Sequence, residues 1–282
     1  MSRKPVLVFV PGAWHKPACY EKLIQVLKSN HNVACVSITL LSTLGDRNAT
    51  FEDDLQAARR IITNEIEQIN DVVVVAHSYG GMVANSAIKG LTKASQASVS
   101  STGNNEHGYV IGLILIAPGF TLTGMAFMDP FFGIPSPSWK KNTETGFAEL
   151  LVSPRELFYH DLPVEGGNYW VSQLTPQSLK SLFEGGEFAY AGWQDVPTWY
   201  VGTLEDKALP LWAQRLNMGM ASGMGEVVVH RELQTSHSPF LSRPDEVAEI
   251  VVEAIKEFQL KQAKGERFNR RLSLLNRVRA FD

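Results

Sequence analysis

The sequence predicts an α/β fold: a mostly parallel sheet with helices on both faces and an inserted, mainly helical cap. Three observations predict it. Short apolar runs alternate with segments of helical periodicity up to residue 119 and again from residue 196. Between them, from Phe120 to about Gln194, no run looks like a central strand. And one apolar run, Val72 to Ala76, drives straight into His-Ser-Tyr-Gly-Gly with a helix beginning at once.

Taken in order, Val6–Val10 is a continuous apolar run, as a strand buried on both faces requires. YEKLIQVLKSN follows, with Leu23, Val26 and Leu27 at helical spacing. NVACVSITL is the second strand. TFEDDLQAARRIITNEIEQI is a helix, with Thr50 as its cap and acids in its first turn. Asp71–Ala76 is a strand, and the helix after Ser78 is expected to reach about Lys93. ASQASVSSTGNNEHG is a polar loop, and YVIGLILIAPG is another buried strand. Residues 120–195, rich in Phe, Met, Trp, Pro and Gly, predict short helices and loops. Such an insertion belongs over the strand ends, where open α/β sheets bind ligands. Alternation resumes with PTWYVGTLED, a helix around Leu211–Met220, GEVVVHREL as a strand and DEVAEIVVEAIKEFQL as a helix. The expected division is therefore a core of residues 1–119 and 196–260, a cap of 120–195 and a basic tail of 261–282. That tail sets seven Lys and Arg against two acids, and Phe268, Leu272, Leu275 and Val278 share a helical face. A helix docked on the body or a frayed tail is expected, with a membrane-surface or partner helix as the alternative.

Composition excludes several classes. A net charge of −3 argues against a general nucleic-acid binder. Two cysteines, Cys19 and Cys35, make no disulfide framework and read as reduced, buried residues. No apolar run is long enough for a membrane span, and Val6–Val10 is too short for a signal-peptide core. A cytoplasmic location without membrane insertion follows, and with it an unmodified sequon at Asn48.

Ala76-His77-Ser78-Tyr79-Gly80 fits the G-x-S-x-G turn between a strand and a helix, with Ala at its first position. The serine in such a turn has strained backbone angles, so its neighbours two residues away must be small. A serine hydroxyl needs a base to take its proton, and the base needs an orienting acid. The chain order for this architecture is serine, acid, histidine. Of the seven histidines, only His160, His230 and His237 lie in or after the insertion. His230 sits in a strand, facing a sheet side. His237, in the loop QTSHSPF before the last helix, is the expected base. Glu205 and Asp206, in the loop after PTWYVGTL, are the two available acids. Backbone N–H groups of Tyr79 and of Ala13, in the loop VPGAWH, are the expected oxyanion donors. His77 is expected to point into packing. His15 and Trp14 read as wall residues, and Phe127, Phe131, Phe132, Trp139, Phe158 and Trp170 as an apolar pocket.

With these residues in place, the sequence resembles the α/β-hydrolase superfamily. More narrowly it is similar to the group of plant methyl esterases, salicylate-binding esterases and hydroxynitrile lyases with their microbial relatives. VFVPGAWHKPACYEKLIQVL is similar to their opening strand and loop, VVVVAHSYGGMVA to their elbow, and TSHSPFLSRPDEVAEIV to their histidine loop. YVGTLEDKALPLWAQ resembles their acid loop, in which the Asp before Lys is the acid, so the resemblance implies Asp206. It covers about residues 5–258 and leaves out the polar loop and the tail. Relatives usually carry His-Gly where Pro11-Gly12 stands, and Gly where Ala76 stands. Lyases of the group place a lysine after the histidine and a threonine in the oxyanion loop. Here Ser238 and Gly12-Ala13-Trp14 stand there, which argues against cyanohydrin lysis.

The expectation is a serine esterase with no metal and no cofactor, taking a small to medium apolar carboxylic ester or lactone. Two alternatives stand beside it. The same triad could serve carbon–carbon cleavage, cyclisation or acyl transfer on a polyketide-like metabolite, or the protein could bind a small ligand without catalysis. No nucleic-acid partner is expected, and a homodimer is left open.

Overall fold

The structure is a computed structural model that describes residues 5–93, 107–224 and 228–278. The polar loop predicted after Lys93 and the apolar stripe of the tail lie outside the residues or side chains described.

The chain opens with strand β1 (Val6–Val10), helix α1 (Glu21–His31) and strand β2 (Cys35–Ser37). Helix α2 (Phe51–Glu67) follows. Its start is a reciprocal cap: Asp53 N donates to Thr50 Oγ1 at 3.2 Å, and Thr50 N donates to Asp53 Oδ2 at 2.8 Å. Strand β3 (Val72–His77) runs into α3 (Gly80–Ala87), and β4 (Val110–Ile116) comes next. Helix α3 stops at Ala87, short of the Lys93 expected. Gly90 adopts φ 77°, which breaks the helix, and Thr92 then bridges Val110.

Between β4 and the next sheet strand lie β5 (Trp139–Asn142), β6 (Phe147–Leu150), α4 (Pro154–Phe158), α5 (Val164–Ser172), β7 (Gln177–Ser178) and α6 (Leu179–Phe183). Helical segments and loops were expected here. The three-stranded antiparallel sheet β5-β6-β7 was not. Strands of four, four and two residues are too short to carry a legible two-residue alternation. The chain then returns through β8 (Thr198–Thr203), α7 (Leu211–Gly223), β9 (Val228–Leu233), a short α8 (Pro239–Ser242) and the long α9 (Pro244–Val278).

The main sheet has the order β2-β1-β3-β4-β8-β9, with every pair parallel. Alternation of side chains divides its core in two. Val8, Val10, Val72, Val74, Leu113 and Leu115 face α2 and α3. Leu7, Phe9, Val73, Val75, Ile114 and Ile116 face α1 and α9. The order reverses between β1 and β3, because β1 leads to β2 on one side while β3 lies on the other. Parallel sheets leave a crevice at such a point, beyond the carboxyl ends of the strands. Here that crevice collects the loop after β1 and the turn after β3.

Candidate functional site

Ser78 stands on the turn between β3 and α3 with φ 50°, a left-handed conformation rarely adopted by residues other than glycine. Its N–H donates to Ile116 O at 3.1 Å, which anchors the turn to β4. The surroundings leave no room for larger residues. A Cβ on Gly80 would lie 2.2 Å from Pro11 O, and one on Gly12 would lie 2.8 Å from His77 Nδ1. Packing therefore locks the turn and the loop after β1 together.

The acid loop follows β8. Asp206 is buried and its oxygens are filled by donors. Ala208 N and Leu209 N each donate to Oδ1 at 2.8 Å, and Thr203 Oγ1 donates to Oδ2 at 2.7 Å. His237 Nδ1 donates to the same Oδ2 at 2.7 Å. Glu205, its neighbour, is exposed and accepts from Gln234 Nε2 at 2.6 Å. The two adjacent acids thus have opposite surroundings, and only Asp206 reaches the imidazole. With Nδ1–H committed to the carboxylate, the neutral ring presents Nε2 as an acceptor. His237 and Ser78 line one cavity. No hydrogen bond joins Ser78 Oγ to the ring among the described residues. Catalytic bonds of this kind commonly close only around substrate.

Two further histidines pack behind His237. His77 Nε2 donates to His237 O at 2.9 Å, and the two rings are 4.5 Å apart. Burial, then the charges of His237 and His15, hold the His77 ring well below the ordinary histidine range. His77 is thus packed inward, as expected, but directly beneath the loop of His237. His15 Nδ1 donates to Ala13 O at 2.7 Å and its Nε2 accepts from Tyr159 OH at 2.7 Å. Burial pushes His15 down to about 4, against the raising effect of its bond to Ala13.

Ala13 N–H and Tyr79 N–H donate to no protein acceptor among the described residues. Trp14 N–H, in contrast, donates to Gln177 Oε1 at 3.2 Å. Beside the free donors the cavity encloses about 400 Å³. Trp14, Phe127, Phe131, Trp139 and Phe158 line it. Three pocket expectations are corrected. His15 is buried behind Ala13 by its own two hydrogen bonds and does not reach the cavity. Phe132 adopts φ 54° after a short turn and points to solvent, 92% exposed. Trp170 is buried in the core cluster on the α9 face of the sheet and lines no part of the cavity. The sequence reading missed Met125, Met128, Leu209, Trp212 and Met220, which do line it. Trp212, Leu216 and Met220 form a visible i, i+4, i+8 stripe on α7. Such a stripe ordinarily signals burial, yet all three are exposed.

Among the described residues no group of histidine, cysteine and acidic side chains is arranged to hold a metal ion. No described helix is long and apolar enough to cross a membrane.

The profile of the alpha/beta hydrolase family matches residues 7–250. The chain is 27% identical over 262 residues to the alpha/beta hydrolase nvfD of Aspergillus novofumigatus, covering 90% of this chain and 98% of that protein. It is 23% identical over 271 residues to a pyrethroid hydrolase of Sphingobium wenxiniae, covering 88% and 86% respectively. Among solved structures, polyneuridine aldehyde esterase superposes with a TM-score of 0.67 at 18% identity, over 89% of this chain and 99% of that one. Tomato methylketone synthase I complexed with 2-tridecanone superposes with 0.70 at 13%, over 91% and 100%. These likenesses establish the fold.

Proposed function

We propose that this chain, which belongs to the alpha/beta hydrolase family, is a serine esterase acting on a small to medium apolar carboxylic ester or lactone. The observation that carries the reading is the bond from His237 Nδ1 to buried Asp206 at 2.7 Å, with Ser78 at its strained turn on the same cavity. Ser78 Oγ attacks the carbonyl carbon while His237 Nε2 takes its proton. Asp206 keeps the ring in the required tautomer and stabilises the imidazolium. The carbonyl oxygen, now negative, is received by Ala13 N–H and Tyr79 N–H. His237 returns the proton to the leaving alkoxide. It then activates water against the acyl-Ser78 ester, which releases the acid and the free hydroxyl.

Substrate class follows from the walls. The cavity lies within the ordinary range for small-molecule sites, about 300–1,000 Å³. Its aromatic and aliphatic lining favours an apolar acyl or alcohol group.

Hydrolysis of p-nitrophenyl acetate and butyrate by wild type and Ser78→Ala tests the reading. A fluorophosphonate should label wild type on Ser78 Oγ only. Equal turnover by both proteins removes the nucleophile assignment. A second reading, acyl transfer or carbon–carbon cleavage by the same three groups, is supported by the likeness to a synthase as well as to hydrolases. Product analysis with the native substrate separates the two.

A further inference from the structure

We propose that Gln177, in the inserted segment, is a positioning residue for the oxyanion hole and acts through one buried network that braces both backbone donors. This rests on the assignment of Ala13 and Tyr79 as those donors.

The network begins at Trp14, whose backbone is held at φ 61°. A non-glycine residue there is strained and persists only when its surroundings impose it. The inserted segment does so. Trp14 N–H donates to Gln177 Oε1 at 3.2 Å. Trp14 O accepts from Thr175 N at 3.0 Å and from Thr175 Oγ1 at 3.2 Å. The indole N–H donates to Ala148 O at 3.2 Å. Trp14 N–H belongs to the peptide group directly after Ala13. Engaged with Gln177, it cannot turn to the substrate oxygen, and its direction fixes the plane of the Ala13–Trp14 peptide. The Ala13 carbonyl on that plane accepts from His15 Nδ1 at 2.7 Å.

From Gln177 the network runs to the other donor. Gln177 is wholly buried, and its Nε2 donates to Ser42 Oγ at 2.9 Å and to Ser181 Oγ at 2.6 Å. Ser42 Oγ donates to Asp54 Oδ2 at 2.5 Å, and Ser42 N to Asp54 Oδ1 at 2.9 Å. Tyr79 OH donates to the same Oδ2 at 2.8 Å. Each hydroxyl proton of the two serines is committed elsewhere, Ser42 to Asp54 and Ser181 to Ser178 O at 2.8 Å. Both serine oxygens must therefore accept from Gln177. That sets the amide with its nitrogen toward the serines and its oxygen toward Trp14. An oxyanion exists only after the carbonyl has been attacked, so preorganised donors act on the transition state and leave substrate binding nearly unchanged. A group that only holds the fold together would not separate the two.

The full chain is assayed on p-nitrophenyl butyrate as wild type, Gln177→Leu, Ser178→Ala and Ser78→Ala. Thermal midpoints are measured for each. Affinities are measured for an alkyl trifluoromethyl ketone, which forms the oxyanion, and for the parent methyl ketone, which does not. Ser178 is the matched control, since its Oγ joins the same segment to the core at Ala49 O, 2.7 Å, and Arg47 O, 3.2 Å, without touching Trp14 or Asp54. Gln177→Leu is expected to lower kcat ~30–100-fold with KM within about threefold. The trifluoromethyl-to-methyl affinity ratio should fall by a similar factor. Ser178→Ala should lower the thermal midpoint yet keep kcat within about twofold. A kcat for Gln177→Leu within about threefold of wild type, or an equal loss in Ser178→Ala, overturns the proposal. Should Gln177→Leu not fold, Ser42→Ala cuts the same path and is expected to lower kcat ~10-fold at unchanged KM; an unchanged kcat overturns it. Ser78→Ala matching wild type would instead strike the esterase reading itself, so the two failures are distinct.

Discussion

At the end of β3 the chain has almost no freedom. A methyl on Gly80 would meet Pro11 O at 2.2 Å, and Ser78 is anchored by its N–H to β4. Across the cavity, the inserted segment is uneven, with Gln177 wholly buried beside positions that have room to spare. Phe132 stands 92% exposed, and a methyl on Gly166 of α5 would find nothing within 4 Å. One side of the cavity is set by backbone packed on backbone at the strand ends. The other is set by which side chains happen to reach inward. Positions that carry chemistry need the first kind of control, to a fraction of an ångström. Positions that shape a pocket tolerate the second.

The largest test of that contrast compares the two adjacent acids at the strand end. Asp206→Asn should lower kcat on p-nitrophenyl butyrate by ~10⁴-fold, because the imidazole loses its orienting acceptor. Glu205→Gln should stay within about twofold, since its carboxylate is solvated and paired with Gln234. Equal effects would mean that the hydrogen-bond geometry does not identify the working acid.

Next comes backbone packing. Gly80→Ala should lower unfolding stability in urea by ~3 kcal/mol or prevent folding, since Pro11 O belongs to the backbone and cannot move aside. Gly166→Ala, inside a helix with open space around it, should be neutral or stabilising by up to ~1 kcal/mol. A stable Gly80→Ala would show that the turn is not tightly held.

A smaller effect concerns pH. His15 is neutral in the folded chain, with its pKa pushed down to about 4 by burial. Below its ordinary value the unfolded chain therefore binds more protons than the folded one. The stabilisation is complete above pH ~6.5 and is lost as pH falls toward 4. Between pH 6.5 and 5 this amounts to ~2 kcal/mol, read as a falling urea midpoint. His15→Gln should flatten that slope; an unaltered slope would place the acid sensitivity elsewhere.

The smallest effect lies in the pocket wall. Phe127→Ala should raise KM for the butyrate ester by ~10-fold, as the loss of an apolar contact predicts. Phe132→Ala should change it less than about twofold. The reverse order would mean that the cavity wall differs from the one described.

Much of this was legible in the sequence, for reasons of short range. Val72–His77 reads as a strand buried on both faces from its composition alone. The small residues around Ser78 read as a tight turn because only small residues fit one. His237 stood out because His230 sits in a strand whose side chains face the sheet, whereas His237 lies in a strand-end loop before the last helix. The acids were harder: Glu205 and Asp206 are neighbours, and local sequence does not say which one the fold turns inward. Resemblance chose Asp206 from its place before Lys207. In the structure it is Asp206 that turns inward, where Thr203, Ala208 and Leu209 fill its oxygens.

The inserted segment was legible only in outline. Phe127, Phe131, Phe132, Trp139, Phe158 and Trp170 look alike as aromatic residues in an irregular stretch. Whether each faces the cavity, the core or solvent depends on contacts made far away in the chain. Gln177 carried no signal at all, since its partners Trp14 and Ser42 lie more than a hundred residues earlier. Periodicity, turn chemistry and small-residue spacing are properties of a few neighbouring residues, so the sequence by itself determined the alternating elements, the tight turn at Ser78 and the order of the candidate groups. Which acid turns inward, which aromatics line the cavity and which hydrogen bonds hold the loop after β1 were decided only when distant segments packed together.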